Sequence, residues 1–162
     1  MSEAKKKADI PLQVDQAMVR SNALLTDTIA VLVIALALLG IVQPAALIMV
    51  LLAVDFGIRG FANPRGAVLT RVSAAVVSPM LPFEHKLIYF PPKQFAARVG
   101  MVFSLTAAAL FAGGLAGAGI TVTSILLVFA ALEWAANICM GCIVYNALVG
   151  MRRGMSGGND GV

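Results

Sequence analysis

Two long stretches of this sequence contain no lysine or arginine, and they constrain the fold more than any other feature. They run from residue 21 to 58 and from residue 99 to 151. A helix needs about 20 residues, at roughly 1.5 Å each, to cross the hydrocarbon core of a membrane, so each stretch is long enough for two crossings. The chain is 60% hydrophobic and 12% charged, which is typical of a protein surrounded by lipid. We therefore expect an all-α membrane protein with four transmembrane helices in two hairpins.

Glycine and proline divide each stretch near its middle, at GIVQP (40–44) and at GGLAGAG (113–119). The predicted transmembrane domain covers residues 14–150, between a polar N-terminal tail (1–13) and a flexible C-terminal tail (151–162). Its four helices are predicted at about 22–40, 44–61, 95–113 and 120–149.

The twelve basic residues lie at the two ends of the chain and in the segment between the hairpins. By the positive-inside rule, both termini and the central segment are expected on the cytoplasmic side. This topology accounts for the net charge of +4, so the charge gives no reason to expect nucleic-acid binding. No short hydrophobic segment with a cleavage site begins the chain, and no cleaved signal peptide is expected. The segment 64–81 has arginines six residues apart in an apolar setting, which predicts a helix in the cytoplasmic interface at about 65–79.

The two hairpins resemble each other when the sequence is shifted by 78 residues. The pairs that then coincide include Gln16 with Gln94, Arg20 with Arg98, Asp55 with Glu133, and Phe56 with Trp134. Because each half would begin and end on the same side, this pattern is that of a parallel repeat about an axis along the membrane normal. The alternative is that any two apolar hairpins show this much similarity.

Charged residues inside the predicted helices need partners, since each costs about 2.5–3.5 kcal/mol at the centre of a bilayer. Asp55 and Arg59 are four residues apart in the order that favours an ion pair. Asp27 is expected to pair with Arg20 or with Arg59.

Glu133 has no basic residue within two turns of its own predicted helix, and Asn137 follows it by one turn. Glu133 is therefore expected to be protonated, to be paired with another helix, or to face a wet cavity. A structural hydrogen bond between helices and a proton-handling role both remain open.

The two cysteines of the chain, Cys139 and Cys142, form a C-x-x-C pair near the cytoplasmic end of the last predicted helix. A structural disulfide is disfavoured there, because the compartment is reducing and a continuous helix gives poor geometry. A metal site would need two more ligands, so neither a metal nor a cofactor is predicted. Thiol chemistry and simple packing of two small side chains both remain open.

Small residues recur every fourth position along the third predicted helix, where they allow close packing of helix backbones. The packing candidates are Gly100, Ser104 and Ala108, with Gly113 and Gly117 at the following turn. This strip is expected to serve packing within the bundle, and a homo-oligomer contact is the alternative.

Three segments together resemble one known family: VDFGIRGF (54–61), PPKQFAARVG (91–100) and EWAANICMGCIVY (133–145). In order and spacing they are similar to the small bacterial membrane proteins described as domain of unknown function 4395. The resemblance implies a four-helix protein of the bacterial inner membrane, without a settled activity. It also implies an association with thioredoxin-like or rhodanese-like sulfurtransferase proteins.

These observations favour a membrane partner in thiol-redox or sulfur-relay chemistry, with Cys139 and Cys142 as the reacting groups. An independent catalytic activity is not expected. The alternatives are a scaffold or assembly subunit of a membrane complex, and a small proton-coupled carrier that uses Glu133.

Overall fold

The computed structural model describes residues 13–62, 66–77, 80 and 86–156, with the side chains of Gln13, Tyr89 and 152–156 outside that description. The predicted N-terminal tail (1–13) therefore lies, except for the backbone of Gln13, outside the described residues. In chain order the elements are β1 (Gln13–Asp15), α1 (Gln16–Leu38), α2 (Val42–Phe61), α3 (Val68–Val72), β2 (Leu87–Tyr89), α4 (Pro91–Ala112), α5 (Ala116–Ala136) and α6 (Met140–Ser156). Helices α1, α2, α4 and α5 are long and apolar enough to cross a membrane. The prediction of an all-α, multi-pass membrane protein with four spans is confirmed.

A short antiparallel ladder joins the beginnings of the two hairpins. Strand β1 pairs with β2, with Val14 opposite Ile88, and the ladder continues where the Gln16 N–H donates to the Lys86 carbonyl at 2.9 Å. The Asp15 side chain then accepts a hydrogen bond from the Ala17 N–H at 2.9 Å and caps α1. This ladder is not predictable from the sequence, because strands of three residues are too short to show a periodic pattern.

The two hairpins turn in the same way. Gly40 (φ 78°) and Gly114 (φ 76°) both adopt the left-handed conformation that glycine tolerates. In the first turn the Ile41 N–H donates to the Leu36 carbonyl, and in the second the Leu115 N–H donates to the Leu110 carbonyl, both at 2.9 Å. The turn glycines, at positions 40 and 114, lie 74 residues apart rather than the predicted 78. With a shift of 74 residues, the residue of the first hairpin that corresponds in position to Glu133 is Arg59 rather than Asp55.

The two hairpins pack against each other. Helix α2 contacts α4 most extensively, and α1 contacts α5. At the α2–α4 crossing, a Cβ on Gly100 would lie 2.9 Å from the Phe56 ring. Ser104 and Ala108 are also buried on α4. Gly113 and Gly117, in contrast, are exposed at the α4–α5 turn, so the small-residue strip packs only as far as Ala108.

Helix α3 lies against the bundle through its polar side. It continues into a π-helical turn (Ser73–Val77), and together these cover 68–77 of the predicted 65–79. Asn22 donates to the Thr70 hydroxyl at 3.2 Å and accepts from the Ser73 hydroxyl at 2.5 Å. The outer face carries the exposed side chains of Val68, Val72 and Val76. Polar groups face the protein and apolar groups face outward, as suits a segment at the membrane surface.

The predicted fourth helix, 120–149, is wrong in one respect: it consists of two helices. Helix α5 ends at Ala136, and Asn137 adopts a left-handed conformation (φ 56°, ψ 26°) that asparagine tolerates better than most residues. A second helix, α6, begins at Met140 and continues to Ser156, into the tail predicted to be flexible. The 21 residues of α5 already suffice for one crossing, so the chain is free to turn there.

Candidate functional site

The break after α5 places the C-x-x-C pair at the beginning of a helix. The Cys142 N–H donates to the Cys139 sulfur at 3.3 Å, and the N–H groups of Cys142 and Ile143 donate to the Cys139 carbonyl at 3.0 and 3.1 Å. Cys139 therefore caps α6, and the pair lies where the N–H groups and the dipole of a helix N-terminus favour a thiolate. Both cysteines are free thiols. The continuous helix that the sequence predicts here would have kept both sulfurs away from a helix terminus.

Gly141, between the two cysteines, lets α6 approach α4 closely. A Cβ at this position would lie 2.5 Å from the Ala96 Cβ and 2.7 Å from the Ala96 Cα. One turn further along α6, the Tyr145 ring lies against Phe95, with 5.9 Å between the ring centroids. Close packing on α4 therefore fixes the position of both thiols.

An ion pair lies beside the thiols. The Lys93 ammonium, in the first turn of α4, lies 2.5 Å from Oε1 of Glu133, and both side chains are largely buried. Three states were expected for Glu133, and the structure shows the second of them, in which the carboxylate is paired with a residue of another helix. Asn137 ends α5 and does not continue the helical face of Glu133.

The two thiols have different proton affinities. A hydrogen bond from the Cys139 thiol lowers the pKa of Cys142, and the Lys93 ammonium lowers it further, while burial and Glu133 oppose the shift. The same hydrogen bond, together with burial and the Glu133 carboxylate, raises the pKa of Cys139. Cys142 is also the more exposed of the two. Cys142 is therefore the thiol poised to react first, with Cys139 as its proton-bearing neighbour.

Two cavities meet at this site. An outer cleft of about 440 Å³ is lined by both cysteines, Lys93, Asn137 and Asn146, among others. An inner cavity of about 260 Å³ lies between the helices and is also lined by Cys139, Lys93 and Glu133. Cys139 and Lys93 thus border both spaces, whereas Cys142 borders the outer cleft.

The predicted pair of Asp55 and Arg59 lies next to the inner cavity. Nη2 of Arg59 is 2.7 Å from Oδ2 of Asp55, and the guanidinium stacks over the Phe56 ring at 4.4 Å. Oδ1 of Asp55 accepts a hydrogen bond from the Leu69 N–H at 2.9 Å. This carboxylate therefore both balances Arg59 and attaches α3 to the bundle.

Trp134 forms hydrogen bonds with both Asp27 and Arg20, which were expected to pair with each other. Its indole N–H donates to Oδ2 of Asp27 at 3.1 Å, and its carbonyl accepts from Nε and Nη2 of Arg20 at 2.9 and 2.6 Å. The partner observed for Asp27 is thus an indole on α5 rather than the expected arginine. Indole groups commonly form such bonds when half-buried at a membrane interface.

Arg20 has a counterpart in the second hairpin. Arg98 of α4 donates from Nε to the Gly60 carbonyl of α2 at 2.9 Å and stacks over Phe61 at 4.7 Å. Each arginine lies near the beginning of one hairpin and donates to a backbone carbonyl in the last turn of the other hairpin. The predicted correspondence of Arg20 and Arg98 therefore has a structural basis, even though the turns follow a different register.

Residues 14–149 match the family model described as Domain of unknown function (DUF4395). The chain belongs to this family. Comparison with the curated proteins and with the solved structures returns no match. The DUF4395 segment extends from β1 into α6, so it includes both hairpins, the buried ion pairs and the two thiols.

Lys93, the most informative neighbour of the thiols in this DUF4395 protein, was not predicted from the sequence. Lys93 was grouped with the cytoplasmic basic residues, and nothing in the spacing of 40 residues to Glu133 links the two. Asn22, which bonds to α3, was also missed. Within the described part of the chain, no three His, Cys, Asp or Glu residues are grouped so as to hold a metal ion.

Proposed function

We propose that this DUF4395 protein is a membrane partner in thiol-redox or sulfur-relay chemistry. In this proposal Cys139 and Cys142 take up a disulfide or a persulfide and pass it on. The observation that carries it is the placement of the pair at the beginning of α6, beside the Lys93 ammonium and open to the outer cleft. A helix N-terminus and a neighbouring cation are two of the features that lower the pKa of a cysteine and so activate it.

The two thiols differ in pKa and in exposure, and this difference suits disulfide exchange. When the pair is oxidised, a thiolate of the partner attacks the Cys142 sulfur, the more exposed of the two. The Cys139–Cys142 bond breaks with its electron pair passing to Cys139, whose sulfur accepts a hydrogen bond from the Cys142 N–H and then takes up a proton. The partner's second thiol then attacks the mixed disulfide, which leaves the partner oxidised and both cysteines reduced. In sulfur relay, the Cys142 thiolate instead attacks the outer sulfur of a persulfide, and the partner leaves as a thiolate.

The proposed location is a bacterial inner membrane with both termini in the cytoplasm. The distribution of basic residues supports this orientation, and the site lies at the end of the bundle where α1 and α4 begin. The proposed partner is a soluble thioredoxin-like or rhodanese-like protein that reaches the outer cleft. A scaffold without thiol chemistry is the competing function. The ion pair with Lys93 gives Glu133 a structural partner, so no observation favours the proton-coupled carrier.

The test is mass spectrometry of the peptide that contains both cysteines, after rapid alkylation of intact cells. A disulfide, persulfide or mixed disulfide at these positions is the expected result. Either Cys139→Ser or Cys142→Ser should remove the disulfide, and Cys142→Ser should also remove a persulfide or mixed disulfide, while the protein still accumulates in the membrane. Asn146→Ala is the matched control, because Asn146 lines the same cleft and carries no thiol. Two unmodified thiols under oxidative and sulfur stress would instead favour the scaffold.

A further inference from the structure

The inner cavity plays no part in exchange through the outer cleft, yet it extends from Cys139 into the bundle. Its volume of about 260 Å³ is close to the lower end of the range for small-molecule pockets, about 300–1,000 Å³, and suits one ring system. Much of its wall is aromatic, and the rings are those of Phe56, Phe90, Phe95, Phe103 and Phe129. Such a space between membrane helices favours a flat, apolar ligand that enters from the lipid.

Two buried polar groups on the cavity wall have hydrogen-bonding atoms without a partner among the described residues. They are the Thr26 hydroxyl and Nε of Arg59. Both residues line the cavity, and only 2% of Thr26 and 9% of Arg59 is exposed. Each of the two atoms has less than 1 Å² of accessible surface, so it can bond to a ligand that carries acceptor oxygens only after its side chain turns towards the cavity.

Resting on the proposed function, we propose that the inner cavity binds the ring of a lipid-soluble quinone, which accepts the electrons of Cys139 and Cys142. A quinone is flat and apolar, it dissolves in the bilayer, and its two carbonyl oxygens suit donors such as Thr26 and Arg59. It also takes up two electrons and two protons, the number that a dithiol loses when it becomes a disulfide. Cys139 borders both spaces and so links exchange in the cleft to reduction of the quinone.

The proposed step is balanced without another reactant. Cys139 releases its proton to the outer cleft, and its sulfur adds to a ring carbon of the quinone and forms a carbon–sulfur bond. The Cys142 thiolate then attacks the Cys139 sulfur, the sulfur–sulfur bond forms, and the carbon–sulfur bond breaks with its electron pair passing to the ring. The two quinone oxygens take up two protons, equal in number to those released by the thiols. The dithiol is oxidised to a disulfide and the quinone is reduced to a quinol.

The experiment uses the full chain, purified in detergent, reduced, freed of reductant and kept without oxygen. Decylubiquinone is added as the probe, because its fully substituted ring avoids irreversible addition of thiols. Quinol formation is followed by absorbance, and the disulfide by mass. We expect one quinol per disulfide formed.

Variants locate the reaction. Ala97→Leu fills part of the cavity and should slow quinol formation by about tenfold or more, because the added methyl groups take up space that the quinone ring needs. Ala109→Leu is the matched control on the exposed side of the same helix and should leave the rate unchanged. Hydroxyethyl disulfide serves as a soluble oxidant that reaches the pair through the outer cleft, and its rate should be the same in both variants.

Each other outcome overturns the quinone proposal, and one of them overturns the proposed function as well. If hydroxyethyl disulfide oxidises the pair and decylubiquinone does not, the quinone proposal fails and the proposed function stands. If decylubiquinone reacts equally fast with the Ala97→Leu variant, the reaction takes place outside the cavity and the proposal fails as well. If neither oxidant forms the disulfide, the proposed function fails and the quinone proposal fails with it.

Discussion

The ammonium nitrogen of Lys93 lies 2.5 Å from a carboxylate oxygen of Glu133, and this pair connects the beginning of α4 to the last turn of α5. The two residues are 40 positions apart, and both border the inner cavity that Cys139 also lines. The pair therefore has two effects: it holds the second hairpin together, and it sets the charge next to the thiols.

Breaking this pair on one side should destabilise the protein more than removing both charges. Lys93→Met and Glu133→Gln are each expected to lower the free energy of unfolding by about 1–3 kcal/mol, because a largely buried charge loses its partner. The double variant should lose less than either single variant, because no charge is then left without its partner. Unfolding in mixed detergent micelles measures this, and strictly additive losses would contradict a direct interaction.

The pH dependence of alkylation tests the assignment of Cys142 as the reactive thiol. An unperturbed thiol has a pKa of about 8.5, and only the thiolate is alkylated. Because the pKa of Cys142 is lowered, its alkylation rate should reach half of its maximum at a pH below that value. The Cys139 hydrogen bond is the largest cause, so Cys139→Ala should move this midpoint upward and slow alkylation at pH 7.

Lys93→Gln should move the same midpoint upward by a smaller amount, because the ammonium is a lesser cause of the shift. Peptide mass spectrometry after timed alkylation gives the rate at Cys142 itself. A midpoint at or above about pH 8.5 in the unchanged protein would contradict the assignment.

The sequence predicts the membrane architecture well because the physics involved is simple. Apolar runs must be about 20 residues long, and basic residues mark their ends, so four spans follow from the pattern alone. The pair of Asp55 and Arg59 was found in the same way, because partners four residues apart share a helical face. Both features depend on positions that are close in sequence.

What the sequence could not predict depends on contacts between distant segments. The partners Lys93 and Trp134 belong to helices that meet only in the folded bundle. The break at Asn137 has no proline or glycine to mark it, so the motif appeared to lie within one helix. That single error hid the most informative feature of the site, the Cys139 cap of α6.

Asp55 should matter for α3 as well as for Arg59. Asp55→Asn keeps an acceptor for the Leu69 N–H and removes the charge, whereas Asp55→Ala removes both interactions. We expect both variants to be destabilised by several kcal/mol, about 3–5 where the buried charge is left without a partner, and the alanine variant to lose more. Limited proteolysis near Val68 separates the two effects. Cleavage should increase for alanine and change little for asparagine, and equal cleavage would contradict the proposed attachment of α3.

Gly141→Ala should displace α6 and with it both cysteines. Its new methyl group would meet the Ala96 Cβ at 2.5 Å and the Ala96 Cα at 2.7 Å, and a backbone atom cannot move aside as a flexible side chain can. Overpacking of this kind costs about 1–3 kcal/mol, so we expect lower stability together with a changed alkylation rate at Cys142. Gly150→Ala is the matched control, since a Cβ at that position of α6 meets open space and alanine favours a helix. Ala96→Gly combined with Gly141→Ala removes the closest clash and should restore part of the loss. A Gly141→Ala protein with unchanged stability and thiol reactivity would show that the contact with α4 does not position the pair.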